Sequence, residues 1–265
     1  MNWKIIKSHL RVVFLTFEMT FRQNMVDSFI LFTIVVQPLL IAILAMWMLR
    51  ERGGDYAIFV IVGSGMSGLW SSLLFVSGNS ITSERWNGNL EGLVASPTPI
   101  QFAVFGKAMA NVTQSLLSMI ASYSVVAVLF DVQLRMEQPL VFFSSLVLTM
   151  LTFMTFGLII SSVFVINPDV QRWQNGLEFP IFILAGFLFP ISLLPGWTNP
   201  LSYILAPYWA TRVLHAATVG LATSSEIILT WSMMILFGIL YIALSGRMFK
   251  KMLYRARVEA TLNMQ

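Results

Sequence analysis

Cysteine is absent from this 265-residue sequence. Disulfide cross-links, thiolate metal sites and cysteine nucleophiles are therefore excluded, and redox compartment cannot be read from the chain. Charge is scarce as well: Asp, Glu, Lys and Arg make up 11% of the residues, against roughly 25% in an average soluble domain. A water-soluble fold of this length has too much surface to cover with so few charges. Catalytic signatures are also missing. No Gly-x-x-x-x-Gly-Lys-Ser/Thr phosphate loop occurs, so ATP hydrolysis is not expected on this chain. Neither Gly-x-Ser-x-Gly nor His-Glu-x-x-His occurs. His9 and His215 fall on opposite sides of the predicted bilayer and cannot share a metal.

What is present is apolar. Hydrophobic residues make up 57% of the chain, with Phe (21), Met (16) and Trp (8) abundant, and the mean hydropathy is +0.78. Lipid is the solvent that tolerates such a surface. The first twenty or so residues alternate charged and apolar side chains and do not read as a cleavable leader. Crossing a hydrocarbon layer takes about 20 helical residues. Segments of that kind lie at 28–49, 56–83, 108–130, 139–166, 173–190 and 227–247. The fifth belongs to a longer apolar stretch that Pro190, Pro195, Pro200 and Pro207 break, so only its first part is expected to span. The fold class that follows is an all-α polytopic membrane protein with six transmembrane helices.

Basic residues set the orientation. Lys4, Lys7, Arg11, Arg22, Arg85, Lys107, Arg172, Arg247, Lys250, Lys251, Arg255 and Arg257 fall on one side, and Arg50, Arg52, Arg135 and Arg212 on the other. Both termini are therefore expected in the cytoplasm, with the protein multi-pass in the cell (inner) membrane. The basic tail 247–257 reads as an anchor at anionic headgroups, since no aromatic-basic surface for nucleic acid accompanies it. Near the N-terminus, Trp3, Ile6, Leu10, Val13, Phe14, Phe17 and Phe21 fall within a sector of about 100° on a helical wheel, beside Lys4, Ser8, Arg11 and Arg22. Residues 1–24 are expected to form a helix in the membrane interface, as an anchor or as a lever to the first span.

The most specific signal is the loop 84–97. Leu90, Leu93 and Val94 make a small apolar face by their spacing, Glu84 and Glu91 lie one heptad apart, and Ser96-Pro97 ends the segment. A short amphipathic helix between breakers is a plausible dock for a soluble partner. Through Glu84, Arg85, Gly88, Leu90, Glu91, Leu93, Ser96 and Pro97 this stretch resembles the loop of type-2 ABC transporter permeases, with departures at Trp86, Asn89 and Val94. The resemblance implies a coupling helix seated in a cleft of an ATPase subunit. A second stretch, Phe189-Pro190-Ile191-Ser192-Leu193-Leu194-Pro195-Gly196-Trp197, continuing through Pro200 and Pro207, is broken and aromatic-rich. Such backbone at membrane depth is buried in protein or lines a cavity. Two short helices, roughly 192–206 and 207–219, are expected, and the resemblance implies that 191–220 is an extracellular cap of re-entrant helices.

The same resemblance covers essentially the whole chain as a single permease domain. It implies two ABC ATPase subunits, a second permease subunit (identical or related) and surrounding lipid as partners. No cofactor is expected on this chain, with ATP and Mg held by the ATPases. The implied function is an ATP-driven exporter of a drug, lipid or lipid-linked glycan. Inside the spans, Gly63, Ser67 and Ser71, together with Gly68 and Ser72, let backbones approach closely. They are expected either to pack the subunit internally or, as the resemblance implies for spans two and five, to face the dimer axis or the pathway. Glu178 is the acid inside a predicted span, either snorkelling or paired, with Arg172 and Asn175 as candidate partners, or standing at the cytoplasmic mouth of the pathway. An ion-coupled secondary transporter is the rival class; it calls for midplane ion-binding residues and inverted repeats, and Glu178 alone answers to the first.

Overall fold

A computed structural model describes residues 3–49, 55–89, 92–93, 96–130, 136–166, 174–187, 189 and 191–258, and these are helical with no strand among them. The chain opens with α1 (Trp3–Asn24). The first membrane segment follows as α2 (Ser28–Leu31), a π-helical turn (Phe32–Val36) and α3 (Gln37–Leu49). Asp27 caps it, its carboxylate accepting from the Phe29 and Ile30 amides. The π turn has a local cause. Pro38 cannot donate, and its ring would press on the carbonyl four residues back; widening the helix so that the Gln37 amide bonds to the Phe32 carbonyl relieves this.

The second segment is α4 (Asp55–Ser71), a second π turn (Ser72–Ser77) and α5 (Ser80–Trp86). Then come α6 (Ile100–Phe130), α7 (Pro139–Ile166) and α8 (Gln174–Leu184). Beyond two 3-10 turns, Ile191–Leu193 and Gly196–Thr198, lie α9 (Asn199–Tyr203), α10 (Ala206–Thr218) and α11 (Ser224–Val258).

Five segments among the described residues are long and apolar enough to cross a bilayer: Ser28–Met48, Phe59–Glu84, Ile100–Phe130, Pro139–Phe164 and Ser224–Lys251. The fifth expected span, 173–190, differs. Its described helix, α8, has 11 residues with Pro180 inside, or roughly 16 Å, about half the hydrocarbon thickness. Gly186, at φ +69°, ends it, with the Phe187 amide reaching back to the Phe182 carbonyl and folding Phe187 into the core.

Span two is the centre of the bundle. Of its most apolar window 83% is buried, against 11% for α11, so span two is the axle and α11 the rim. Val62, Met66, Leu69, Trp70, Leu73 and Leu74 meet Val112, Phe153, Phe164 and Leu214 in one continuous core. The rim is apolar outward: Ile228, Ile235, Ile239 and Ile242 on α11 and Leu40, Leu44 and Trp47 on α3 are exposed. Away from its ends an α-helix bonds its own backbone groups, which is the condition for facing lipid.

Candidate functional site: the base, the buried acid and the cap

The bundle has two ends. At the base, α1 lies along the start of α6. Thr16 and Val13 press so closely on Gly106 that a Cβ there would stand 2.1 Å from Thr16 Oγ1, and His9 stacks on Phe102 with ring centroids 4.3 Å apart. At the far end of α1 a buried polar network closes the joint. Asn24 Nδ2 donates to Asn111 Oδ1 (2.8 Å) and Gln114 Oε1 (2.7 Å), Gln114 Nε2 donates to the Phe21 carbonyl (3.0 Å), and Asn111 Nδ2 donates to Ser77 Oγ (2.8 Å) in the second π turn. Of the expected amphipathic sector, Trp3, Leu10 and Phe14 stay exposed, an apolar face with no protein against it.

The loop after span two starts as the last turns of α5. Glu84 is ion-paired with Lys107 of α6, whose Nζ also donates to the Ser80 carbonyl (3.1 Å). Glu84 thus faces its own chain instead of projecting outward beside Glu91. Gly88, at φ +71°, ends α5; the Asn89 amide reaches the Glu84 carbonyl at 2.9 Å, closing the turn that only a left-handed residue permits. Trp86 is 75% exposed. Leu93 packs against a small core formed by Ile81, Ile100, Val104, Leu158 and Phe249, pinning the loop to the bundle. The expected continuous helix over 84–97 is therefore divided at Gly88. The side chain of Arg85, and Leu90, Glu91, Val94 and Ala95 altogether, lie outside the described residues.

Deeper in, Glu178 on α8 is 3% exposed. Its carboxylate accepts from Ser71 Oγ and, at 3.0 Å, from Gln37 Nε2. Three membrane segments meet there, and both π turns abut it, one ending just before Gln37 and one starting just after Ser71. π turns often mark functional sites, because they break the regular ladder locally. The acid is thus paired with spans one and two; of the neighbours considered from sequence, Arg172 and the Asn175 side chain lie outside the described residues. Ser71 belongs to a ladder: its Oγ also reaches the Ser67 carbonyl (3.0 Å), and Ser67 Oγ the Ser64 carbonyl (2.7 Å). Gly63, Ser67, Gly68 and Ser71 are all buried inside this one chain, and a Cβ on Gly68 would meet Pro38 Cγ at 2.5 Å. Spans one and two are locked together by that contact.

At the opposite end sits the cap. The expected first helix, 192–206, is in fact two 3-10 turns and the short α9, because Pro195 and Pro200 remove donors in its middle and survive only at turn and helix starts. Pro207 opens α10 within its first two positions. Trp197 is exposed. Pro190 lies outside the described residues. Tyr203, Tyr208 and Trp209 cluster, and Trp209 Nε1 donates to the Tyr203 carbonyl (2.9 Å). Arg212 ties α10 to α11 through Glu226 (2.9 Å) and donates to the Tyr208 hydroxyl (3.2 Å). These partners raise the guanidinium pKa further although burial opposes it. Burial pushes the Tyr208 phenol up and the His215 imidazole down to about 3, so both are neutral near pH 7.

Sequence reasoning passed over Lys107, Gln37, Asn24, Asn111, Gln114 and the Arg212–Glu226 pair. Asn111 and Gln114, three apart in an apolar run, were the available signal. Among the described residues no three His, Cys, Asp or Glu side chains gather in a metal-like cluster.

The family model for the ABC-2 type transporter matches residues 12–219. No curated protein matches the chain.

Proposed function

Because the chain belongs to the ABC-2 type transporter family, whose membrane domain is a transport permease without an ATPase site of its own, we propose that it is the membrane subunit of an ATP-driven exporter. Its cargo is an amphipathic or hydrophobic molecule: a drug, a lipid or a lipid-linked glycan. Two separate ATPase subunits, carrying ATP and Mg, supply the energy, and a second permease subunit completes the pathway in the inner membrane, with the termini and the 84–97 loop in the cytoplasm.

The observation that carries this reading is the base. The loop after α5 is fixed at its root by Glu84–Lys107 and at its return by Leu93, while Trp86 and the residues up to Asn89 stand exposed. A protrusion that is rigid at its root and open at its tip suits transmission of force from a docked motor. Residues 84–93, with Arg85, Gly88 and Glu91, form the contact, and Glu84 serves it as an internal prop. Push on this loop reaches α6 through Lys107, and α6 carries α1 with it through Gly106 and the Asn24 network. ATP binding then shifts the population between inward-open and outward-open arrangements. Span two is enclosed by its own chain, so the exposed faces of α3 (Leu40, Leu44, Trp47) and α8 (Leu177, Phe179, Ile183) form the pairing surface.

Co-purification tests the reading. An ATPase subunit comes down with the native chain and is lost, or its ATP turnover uncoupled, in Trp86→Ala with Gly88→Val. Proton- or sodium-driven flux in vesicles without ATP overturns the proposal.

A further inference from the structure

The two π turns differ in origin. Pro38 accounts for the first, but no proline lies in span two to widen the second, Ser72–Ser77. Side-chain amides account for it instead. In that turn the Gly78 amide bonds to the Leu73 carbonyl (2.9 Å), one residue further back than in an α-helix. The α partner of Gly78 would be the Leu74 carbonyl, and Gln174 Nε2 of α8 donates there (2.8 Å). The α partner of the next amide, that of Asn79, would be the Phe75 carbonyl, and Asn79 Nδ2 donates there (2.8 Å). Gln174 Nε2 also donates to Asn79 Oδ1 (3.3 Å), tying the two side chains together. Gln174 and Glu178 stand at i and i+4, on one face of α8. That face grips span two at two points: Glu178 holds Ser71 just before the turn, and Gln174 holds Leu74 within it. From the other side Asn111 of α6 donates to Ser77 Oγ, on the last residue of the turn. The register held in this way is not free of cost, since Ser72 Oγ is buried without a hydrogen-bond partner.

We propose that the 72–77 turn is a conformational latch, held in the π register by Gln174 of α8 and released to the α register when α8 withdraws. On release the Gly78 and Asn79 amides take the Leu74 and Phe75 carbonyls, so the backbone stays satisfied within the membrane. Absorbing the extra residue turns the helix beyond it by about one residue's worth, roughly 100°. What lies beyond is α5 and the base loop. α5 is held by Glu84–Lys107 and by Ser80 Oγ against Ser161 Oγ (3.1 Å), ties that favour the π state at rest and that a load on the loop strains. The coupling is reciprocal. Rotation of α5 closes the ladder and expels Gln174; withdrawal of α8 frees α5 to rotate. Because α8 also carries the exposed Leu177, Phe179 and Ile183, the latch joins the motor contact to the pairing surface. It rests on the transport reading for the use of the movement, and not for the movement itself.

The test needs no ATPase, so its failure leaves the exporter reading standing, and failure of ATPase coupling leaves the latch standing. The native chain lacks cysteine. Spin labels on Asn87→Cys, just past α5, and Lys251→Cys, on α11, both at exposed positions, therefore report the facing of α5 by pulsed electron resonance on the full chain in lipid nanodiscs. With Gln174 and Asn79 in place, one main distance is expected. Gln174→Met keeps the length of the side chain and removes the donor. A second distance is then expected to rise about tenfold in population, the upper worth of one hydrogen bond. It is displaced by several ångströms, since a side-chain tip about 5 Å from the helix axis moves roughly 8 Å in such a turn. Asn79→Leu acts likewise and stands in if Gln174→Met fails to fold. Deleting Val76 removes the extra residue itself; in that background the main distance stays native and Gln174→Met no longer adds another. A side chain that only stabilises the fold lowers the unfolding temperature without adding a distance. A single native distance in Gln174→Met, or in Asn79→Leu where that stands in, overturns the proposal, as does a second distance that persists with Val76 deleted.

Discussion

Ser71 and Glu178, 107 residues apart in sequence, share a hydrogen bond in the middle of the helix bundle, with Gln37 of the first span completing the site. A carboxyl group in a membrane interior is tolerated when its oxygens find donors, and here the donors come from two other spans.

Replacing Glu178 separates shape and hydrogen bonding from charge. Glu178→Gln keeps an acceptor for Ser71 and Gln37 and is expected to cost less than about 1 kcal/mol, whereas Glu178→Leu orphans Gln37 and costs about 1–3 kcal/mol. Thermal unfolding in detergent reads the difference. If Glu178→Gln also transports at the native rate, the acid is a structural joint and plays no part in the pathway.

Lys107 props the base loop. Lys107→Met removes the ion pair and leaves Glu84, one-fifth exposed, without its cation. The pair is only partly shielded from water, so the expected loss of global stability is small, about 1 kcal/mol. The local effect is larger: protease cutting between residues 86 and 98 is expected to accelerate several-fold, at a rate set by the population of the opened loop. An unchanged cutting rate dismisses Lys107 as a prop.

Gly106 admits α1. A side chain there meets Thr16 Oγ1 and the Val13 carbonyl, and the carbonyl cannot turn aside. Gly106→Val is therefore expected to cost about 1–3 kcal/mol or to lift α1 from α6. The native chain contains no cysteine, so a cysteine pair at positions 9 and 102, where His9 and Phe102 stack, reports the joint without background. Cross-linking should fall with Gly106→Val and persist with Gly92→Val, where a Cβ meets open space.

His215 makes the fold sensitive to acid. Its folded pKa lies near 3, below the ordinary 6.5, so the unfolded chain takes up the proton first as pH falls. Its contribution is complete above about pH 6.5 and declines through the window down to about 3, at a slope of up to about 1.4 kcal/mol per pH unit. His215→Phe should flatten that part of the stability profile and leave the plateau above pH 7 unsloped. Parallel profiles for the two proteins contradict this.

Much of this architecture is legible from local pattern. The wheel of α1, the charge-free runs and the proline-punctuated cap each depend on neighbours within a few turns. What the pattern conceals is pairing at long range. Glu84 and Glu91 share a side by heptad spacing, yet Lys107, 23 residues away from Glu84, turns it inward. Serines and glycines of span two look alike whether they meet another subunit or their own chain; Pro38 against Gly68 is visible only once spans one and two are side by side. The fifth span read as a full crossing because composition does not register Gly186, whose left-handed turn ends α8 early.

The rim helix α11 runs 35 residues, roughly 50 Å, and is fastened near both extremities: Glu226 to Arg212 beside the cap, Phe249 among Ile81, Ile100 and Leu158 at the base. Between those fastenings most of it faces outward. Along its inner edge α7 holds it as well, with Trp231 Nε1 donating to Ser145 Oγ (2.8 Å) and Met234 buried in the core, so α11 and α7 form one stiff pair. Displacement at the base loop therefore has a continuous mechanical route to the cap through the paired lengths of α7 and α11.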